Sequence, residues 1–142
     1  MLKGLPRPQP DLDSMPFWEG CREKRFLLPR CQECGSFRWP PGPMCPACQS
    51  QQTEWVEAAG RGRVYSWIVV NHAPHPNLAD QTPYVLALIE LEEGVRVLGN
   101  IYGCEPNEIL PNLAVSLIFE EADDGFVLPN FVVETVLNAR AE

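Results

Sequence analysis

Five segments in the second half of the chain are rich in β-branched and aromatic residues, and each is bounded by Gly, Pro, Asn or Asp. Such segments favour strands, and the bounding residues favour turns. The predicted strands are Arg63–Asn71, Tyr84–Leu91, Val95–Tyr102, Leu113–Glu120 and Phe126–Val133. Tight turns are predicted at Glu93–Gly94 and Asp124–Gly125. Because no long helix is predicted between the strands, the pattern favours a small antiparallel barrel, of which the five-stranded OB fold is the simplest candidate.

The first half of the chain is patterned differently. Residues 1–12 form a proline-spaced arm, which is predicted to be extended. A short helix is predicted to begin at Asp13 or Ser14, either of which can cap it, and to end near Arg25. Residues 25–30 are then predicted to form a short strand that leads into a cysteine-rich segment.

Four of the six cysteines form two Cys-x-x-Cys pairs, separated by ten residues. They are Cys31, Cys34, Cys45 and Cys48. This spacing lets both sulfurs of a pair reach one ion, and two pairs complete a tetrahedral set of four sulfurs. The sequence therefore predicts a closed, structural Zn²⁺ site. Iron is the second candidate, because Cys-Pro-x-Cys also resembles a rubredoxin knuckle, and disulfides or a redox-active pair are the remaining alternatives.

The other reactive side chains do not form a recognisable catalytic set. Cys21 and Cys104 are predicted to be buried thiols, because free cysteine is among the most buried residue types. His72 and His75 lie in a proline-rich loop after the first predicted barrel strand. No Walker A, G-x-S-x-G or G-x-G-x-x-G motif occurs. The sequence thus indicates a protein that is not catalytic alone.

Composition and charge narrow the functional classes. The chain has 142 residues, 45% of them hydrophobic, and a formal net charge of −8. Residues 1–63 hold nine bases and seven acids, whereas residues 64–142 hold two bases and twelve acids. The predicted barrel is therefore a poor binder of polyanions. No stretch approaches the roughly eighteen apolar residues of a membrane span and no apolar export signal begins the chain, so a cytoplasmic location is expected.

Motifs on both sides of the cysteines resemble those of one family. Outside the cysteines these motifs are Phe17-Trp18, Glu54-Trp55, Gly60–Tyr65 and Pro83-Tyr84. Over about residues 15–132, the chain resembles the DUF35-type family of acyl-CoA-associated proteins, which have a rubredoxin-like zinc ribbon and an OB-fold barrel. It departs from the family's pattern at residues 110–113, where many relatives have a glycine-containing turn.

The resemblance implies a mainly β fold, in which a short N-terminal helix and a zinc ribbon precede a five-stranded OB-fold barrel. The implied segments are an N-terminal arm and docking helix at 1–24, a rubredoxin-like zinc ribbon at 25–58 and an OB-fold barrel at 59–137.

The resemblance also implies a function. Members of the family are non-catalytic accessory subunits that assemble with thiolase-superfamily enzymes and help to shape or channel the acyl-CoA site. Examples are benzoylsuccinyl-CoA thiolase and side-chain aldolases. The implied partner is a thiolase-superfamily subunit, with acyl-CoA at the shared interface. Binding to nucleic acid or to a membrane is not expected. A nucleic-acid-binding module is the alternative, because zinc ribbons and OB barrels both serve that role, but the acidic barrel disfavours it.

Candidate contact residues follow from these ligands. CoA carries three phosphates, so a surface that binds it needs cations. The arginines that are candidate phosphate contacts are Arg38, Arg61, Arg63 and Arg96. Large aromatic residues on a short helix are typical interface anchors, which makes Phe17 and Trp18 candidates for binding the partner. The alternative is that these two aromatic side chains cover the barrel of the same chain.

Overall fold

The computed structural model describes residues 2–134, and it confirms the mainly β fold. Within these residues, an N-terminal α-helix precedes seven strands, with short 3₁₀ turns at Pro76–Leu78 and Pro106–Glu108. The elements are α1 Met15–Arg22, β1 Leu27–Cys31, β2 Thr53–Glu57, β3 Arg61–Val70, β4 Tyr84–Leu91, β5 Arg96–Tyr102, β6 Ala114–Glu121 and β7 Val127–Val133. The predicted end of the barrel at residue 137 lies outside the described residues. Among the described helices, none is both long and apolar enough to span a membrane.

Strands β3 to β7 form a closed barrel in the order β3-β4-β5-β7-β6, with β6 pairing back to β3. Neighbouring strands are antiparallel except β5 and β7, which are parallel. The predicted five-stranded barrel is thus confirmed. Closure brings β3 so near β4 that a Cβ atom on Gly62 would lie 2.6 Å from the carbonyl oxygen of Glu90. Only glycine fits this position without a shift of the backbone.

Helix α1 ends three residues before the predicted end at Arg25. Lys24 takes a left-handed conformation, with φ 60°. Its N–H donates to the carbonyl of Cys21, and the Arg25 N–H donates to the carbonyl of Gly20, at 2.9 and 2.8 Å. This pair of bonds is the Schellman closure, which satisfies the last carbonyls of a helix and stops it.

The start of α1 also differs from the prediction. Ser14 occupies the N-cap position, but its side chain makes no capping bond. The Asp11 carboxylate instead accepts hydrogen bonds from the Ser14 N–H and hydroxyl, at 2.8 and 2.7 Å. These two bonds lower the pKa of Asp11. A turn before the helix therefore replaces the cap that was expected from Asp13 or Ser14.

The segment between α1 and the barrel is a two-stranded antiparallel ribbon, β1 and β2. Strand β2 was not predicted. Helix α1 packs on the ribbon through aromatic rings: the centroid of Phe17 lies 5.1 Å from that of Phe26 and 4.7 Å from that of Trp39. Phe17 and Phe26 belong to the same buried core as the inner residues of the barrel. The ribbon is thus held by this core at one end and by its cysteines at the other.

The loop at residues 110–113, where the sequence departs from the family's pattern, forms its turn without a glycine. Asn112 takes a left-handed conformation with φ 64°. Asparagine adopts this conformation more readily than most residues other than glycine. The turn into β6 is therefore made by Asn112 in place of a glycine.

Candidate metal centre and surface sites

The four predicted ligands meet at one point of the ribbon. Their sulfurs all lie within 4.8 Å of one another. The Sγ atoms of Cys31 and Cys48 are 3.5 Å apart, and those of Cys34 and Cys45 are 3.6 Å apart. A tetrahedral ion with Zn–S bonds of about 2.3 Å requires sulfurs about 3.8 Å apart. The sulfurs fit such an ion, and they are too far apart for disulfides, whose S–S bonds are about 2.05 Å long.

Both cysteine pairs sit on turns of the same design. The N–H groups of Gly35 and Gln49 donate to the carbonyls of Cys31 and Cys45, each at 2.9 Å. Gly35 and Gln49 both have a left-handed backbone, with φ 76° and 61°. The N–H of each first cysteine then closes the turn on a serine carbonyl, Ser36 or Ser50. Two equivalent knuckles therefore present their sulfurs to a shared centre.

The environment of the sulfurs suits a bound cation. Hydrogen bonds from the hydroxyl and backbone of Ser36 lower the pKa of Cys34 to about 6. The backbone N–H of Ser50 acts to lower the pKa of Cys48, but the neighbouring thiols and burial together raise it to about 12. Four thiolates at this spacing repel one another, so the last thiol holds its proton tightly and a bound cation favours its release. The donor set is all sulfur, as in a structural zinc site.

Arg38 lies inside the ribbon, which removes it from any surface phosphate site. Its side chain is 7% exposed. One terminal nitrogen, Nη2, donates to the carbonyl of Gly42 at 2.9 Å and to Oγ1 of Thr53 at 2.6 Å. Thr53 is paired with Cys31 across the ribbon. The guanidinium thus joins the loop between the two knuckles to strand β2, and its role is to hold the ribbon together.

The other three predicted arginines lie on the outer face of β3, β4 and β5. Arg63 pairs with Glu90 in the sheet register, and Glu90 pairs with Arg96. Arg96 binds Glu90 through Nε at 2.9 Å, and its guanidinium lies 3.7 Å from the centre of the Tyr65 ring. Arg61 makes two bonds to the Glu92 carboxylate, at 2.9 and 3.1 Å, which raise the pKa of Arg61.

Arg63 has no ion pair or hydrogen bond from its side chain within the part of the chain that the structure describes. It lines a cleft of about 540 Å³ together with Arg61 and three carboxylates. These carboxylates are Glu90, Glu92 and Glu134. The cleft therefore carries two cations and three anions and is not a basic patch. Arg63 is its one described cation that is free to meet a phosphate.

The two predicted interface aromatics have different environments. Phe17 is 3% exposed and lies in the core, so it is not available to a partner. Phe17 instead belongs to the buried core that α1 shares with the barrel, as the alternative prediction stated. Trp18 is partly exposed and packs edge-on against Phe17, with ring centroids 4.9 Å apart, and against Phe126 at 5.3 Å. Trp18 remains a candidate for contact with a partner.

Two family models match the chain in succession. The first, described as the rubredoxin-like zinc ribbon domain of ChsH2, matches residues 18–54. The second, the C-terminal OB-fold domain of ChsH2, matches residues 55–120. A DUF35 domain-containing scaffold protein of Methanocaldococcus jannaschii is 34% identical over 127 residues, which cover 85% of this chain and 89% of that protein. The chain belongs to the DUF35 family.

Other relatives of this DUF35 protein are named as parts of enzymes, two of which act on CoA thioesters. A probable enoyl-CoA hydratase alpha subunit of Thermomonospora curvata is 44% identical over 89% of the chain, which spans only 39% of that subunit's length. The BbsA subunit of a Geobacter metallireducens benzoylsuccinyl-CoA thiolase is 35% identical over 52% of the chain and 48% of BbsA. A chain of the Ltp2–ChsH2(DUF35) aldolase is 43% identical; the match covers 90% of this chain and 99% of that one, with a TM-score of 0.83.

Proposed function

We propose that this chain is a non-catalytic, zinc-containing subunit of a thiolase-superfamily enzyme that acts on CoA thioesters. In this role it stabilises the enzyme and helps to shape its acyl-CoA site. The observation that carries the proposal is the close structural match to nearly the whole of a chain in the Ltp2–ChsH2(DUF35) aldolase. The names of the hydratase and thiolase relatives support the same class of substrate, because both are subunits of enzymes that act on CoA thioesters.

Zinc is the metal that we propose for the four sulfurs. The match to a zinc ribbon domain and the spacing of the sulfurs support it. A tetrahedral ion bound by four cysteines has no open position for water or substrate, so its contribution is to hold the two knuckles together. The alternative metal, iron, gives a red protein, whereas the zinc protein is colourless. Metal analysis of the purified chain distinguishes the two.

The partner is tested by co-expression. The tagged chain is produced with the thiolase-superfamily subunit of a neighbouring gene, and the complex is isolated by the tag and sized by light scattering. We expect co-elution, and a higher turnover of CoA thioester by the complex than by the partner alone. We also expect Trp18→Ala to weaken co-elution more than Met44→Ala does. Met44 is the matched control because it is similarly apolar, 44% exposed and on the ribbon.

The proposal is wrong if the two chains elute separately and the partner turns over CoA thioesters equally well alone. Retained co-elution with Trp18→Ala would leave the complex in place and remove only Trp18 from the interface.

A further inference from the structure

Residues 2–8 belong to the proline-spaced segment 1–12 and are called the arm from here on. They lie across one side of the barrel and do not project into solvent. On one side of the arm is the loop that joins β3 to β4, residues 71–83, and on the other is the loop that joins β6 to β7, residues 122–126. In an OB fold these are the loops after the first and the fourth strand, and ligands bind between them. The arm thus occupies the place where OB folds hold their ligands.

The arm is recognised through its main chain. The Gln81 side-chain oxygen accepts the Lys3 N–H at 2.7 Å, and its nitrogen donates to the Lys3 carbonyl at 2.9 Å. Asn77 donates to the carbonyl of Gly4 at 2.8 Å. The Tyr102 hydroxyl accepts the N–H of Leu2 at 3.3 Å. Side chains of the β3–β4 loop and of β5 therefore bind successive peptide groups of the arm, as a peptide-binding site does.

One position of the arm favours glycine. Gly4 has a left-handed φ of 73°, and a Cβ atom there would lie 3.0 Å from Cβ of Asn77. Both its conformation and the close approach of Asn77 select against any other residue. The cleft therefore distinguishes one peptide sequence from another as well as binding its backbone.

Charge and apolar contacts add to this recognition. The described arm carries Lys3 and Arg7 and no acid, and Arg7 forms an ion pair with Asp124 and lies 5.5 Å from the centre of the Phe126 ring. The facing wall is acidic and includes Glu121 and Asp123. Between the arm and the barrel are spaces of about 320 and 180 Å³, and both are lined in part by leucines and prolines of the arm and by Leu128 of β7. A basic, apolar peptide matches this cleft, whereas the phosphates of a nucleic acid do not.

We propose that this cleft, formed by Asn77, Gln81, Tyr102, Asp124 and Phe126, is a binding site for a basic, proline-spaced peptide that bends at a glycine. Residues 2–8 of the chain are its resident ligand. The site does not depend on the proposed enzyme partner, because every contact that defines it lies within this chain.

The test supplies the arm as a separate peptide and the cleft as a truncated chain. A chain that lacks residues 1–10 is titrated with a synthetic peptide of residues 1–10 by calorimetry, after circular dichroism has verified its fold. We expect saturable binding to the truncated chain, and binding at least about tenfold weaker to the full chain, where the resident arm competes. Gly4→Ala in the peptide and Gln81→Ala in the truncated chain should each weaken binding about tenfold or more. A scrambled peptide and Gln51→Ala, an exposed glutamine of the ribbon, are the controls.

A second measurement uses the intact chain and does not require the truncation to fold. Trypsin cleaves after Lys3, and a docked arm protects that bond. We expect slower cleavage there than in the free peptide, faster cleavage in full-length Gln81→Ala, and no change in Gln51→Ala. Equal cleavage of the Lys3–Gly4 bond in the intact chain and the free peptide would overturn the proposal. So would the absence of saturable binding to a folded truncated chain, or saturable binding of an oligonucleotide in place of the peptide.

Discussion

The six cysteines divide into two chemical classes because of what surrounds each sulfur. The four ribbon thiols face one another, and those of Cys31, Cys34 and Cys48 receive backbone hydrogen bonds, which suits the cluster to share a cation. Cys21 is instead 0% exposed, inside the core that α1 shares with the barrel. Burial raises the pKa of Cys21 to about 12, because an apolar environment disfavours the thiolate. Cys104 is partly exposed, and burial also raises its pKa, with nearby Glu108 and Glu105 adding to the effect.

Cys21 should therefore resist alkylation while the protein is folded. The thiolate is the reactive form, and a rise in pKa from 9.0 to about 12 lowers its fraction about a thousandfold at any pH well below 9. We expect iodoacetamide at pH 8 to modify Cys104 before Cys21 in the zinc-loaded protein, and Cys21 to react only after unfolding. Peptide mapping by mass spectrometry measures both rates. Equal rates at the two positions would contradict the burial of Cys21.

The raised pKa of Cys21 also affects the free energy of unfolding at high pH. The folded state holds the Cys21 proton more tightly than the unfolded state does, so this contribution to stability is complete below pH 9 and is lost as the pH rises towards about 12. Cys21→Ala should show a smaller loss of stability over this range than the native chain. Thermal melts between pH 8 and 11 measure the difference.

Among the elements, the ribbon depends most on its metal. Its two strands have five residues each, and its core consists of a few side chains such as Leu28, besides the aromatic contacts to α1. A segment of this size rarely folds without a metal or disulfides, and the free energy of zinc binding is the free energy that folds it. The barrel has its own closed ladder of hydrogen bonds and contributes most of the aliphatic residues of the core that it shares with α1 and the ribbon.

Removal of zinc should therefore unfold the ribbon before the barrel. We expect Cys45→Ser, or a strong chelator, to abolish hydrogen-exchange protection in residues 27–57 and to leave protection in β4 and β5 largely intact. Zinc content should fall with Cys45→Ser and be unchanged with Cys104→Ser, because Cys104 is not among the clustered sulfurs. Simultaneous loss of protection in the ribbon and the barrel would show that the two fold as one unit.

The elements that were predicted correctly are those whose signal is local. Two Cys-x-x-Cys pairs and five apolar runs between turn residues indicate a ribbon and a barrel without any long-range information. Strand β2 was missed because its residues alternate only weakly between buried and exposed positions, and it exists through its pairing with β1. The end of α1 was misplaced because the closure at Lys24 depends on a left-handed backbone at a residue that rarely adopts it.

The docking of the arm was missed for a related reason. Gln81 and Asn77 bind Lys3 and Gly4 across more than seventy residues of sequence, and no local pattern reports such a contact. The only local sign of docking was Gly4, a glycine within a proline-spaced segment. The burial of Arg38 was likewise not predicted from the sequence, because arginine is ordinarily an exposed residue.

The charge of the whole molecule is distributed in a way that limits where CoA phosphates can bind. A Zn²⁺ ion held by four thiolates changes the formal charge of −8 by −2, so the loaded chain is more acidic still. The cations on the outer face of β3 to β5 are mostly neutralised: Arg61 by Glu92, and Arg96 by Glu90. A phosphate at Arg61 has to displace a carboxylate that is bound through two hydrogen bonds, whereas no carboxylate among residues 2–134 is bound to Arg63.

If CoA is shared between this chain and a partner, we therefore expect Arg63 to contribute more than Arg61. In the assembled complex, Arg63→Ala should raise KM for acyl-CoA about fivefold, which corresponds to about 1 kcal/mol for one exposed charge pair, with little change in kcat. Arg63→Lys should restore most of the loss, and the effect should shrink in high salt. Arg61→Ala should change KM less, and Arg22→Ala, an exposed arginine on α1, should not change it. An unchanged KM with Arg63→Ala, in a complex that still forms, would place CoA wholly on the partner and leave this chain a structural role alone.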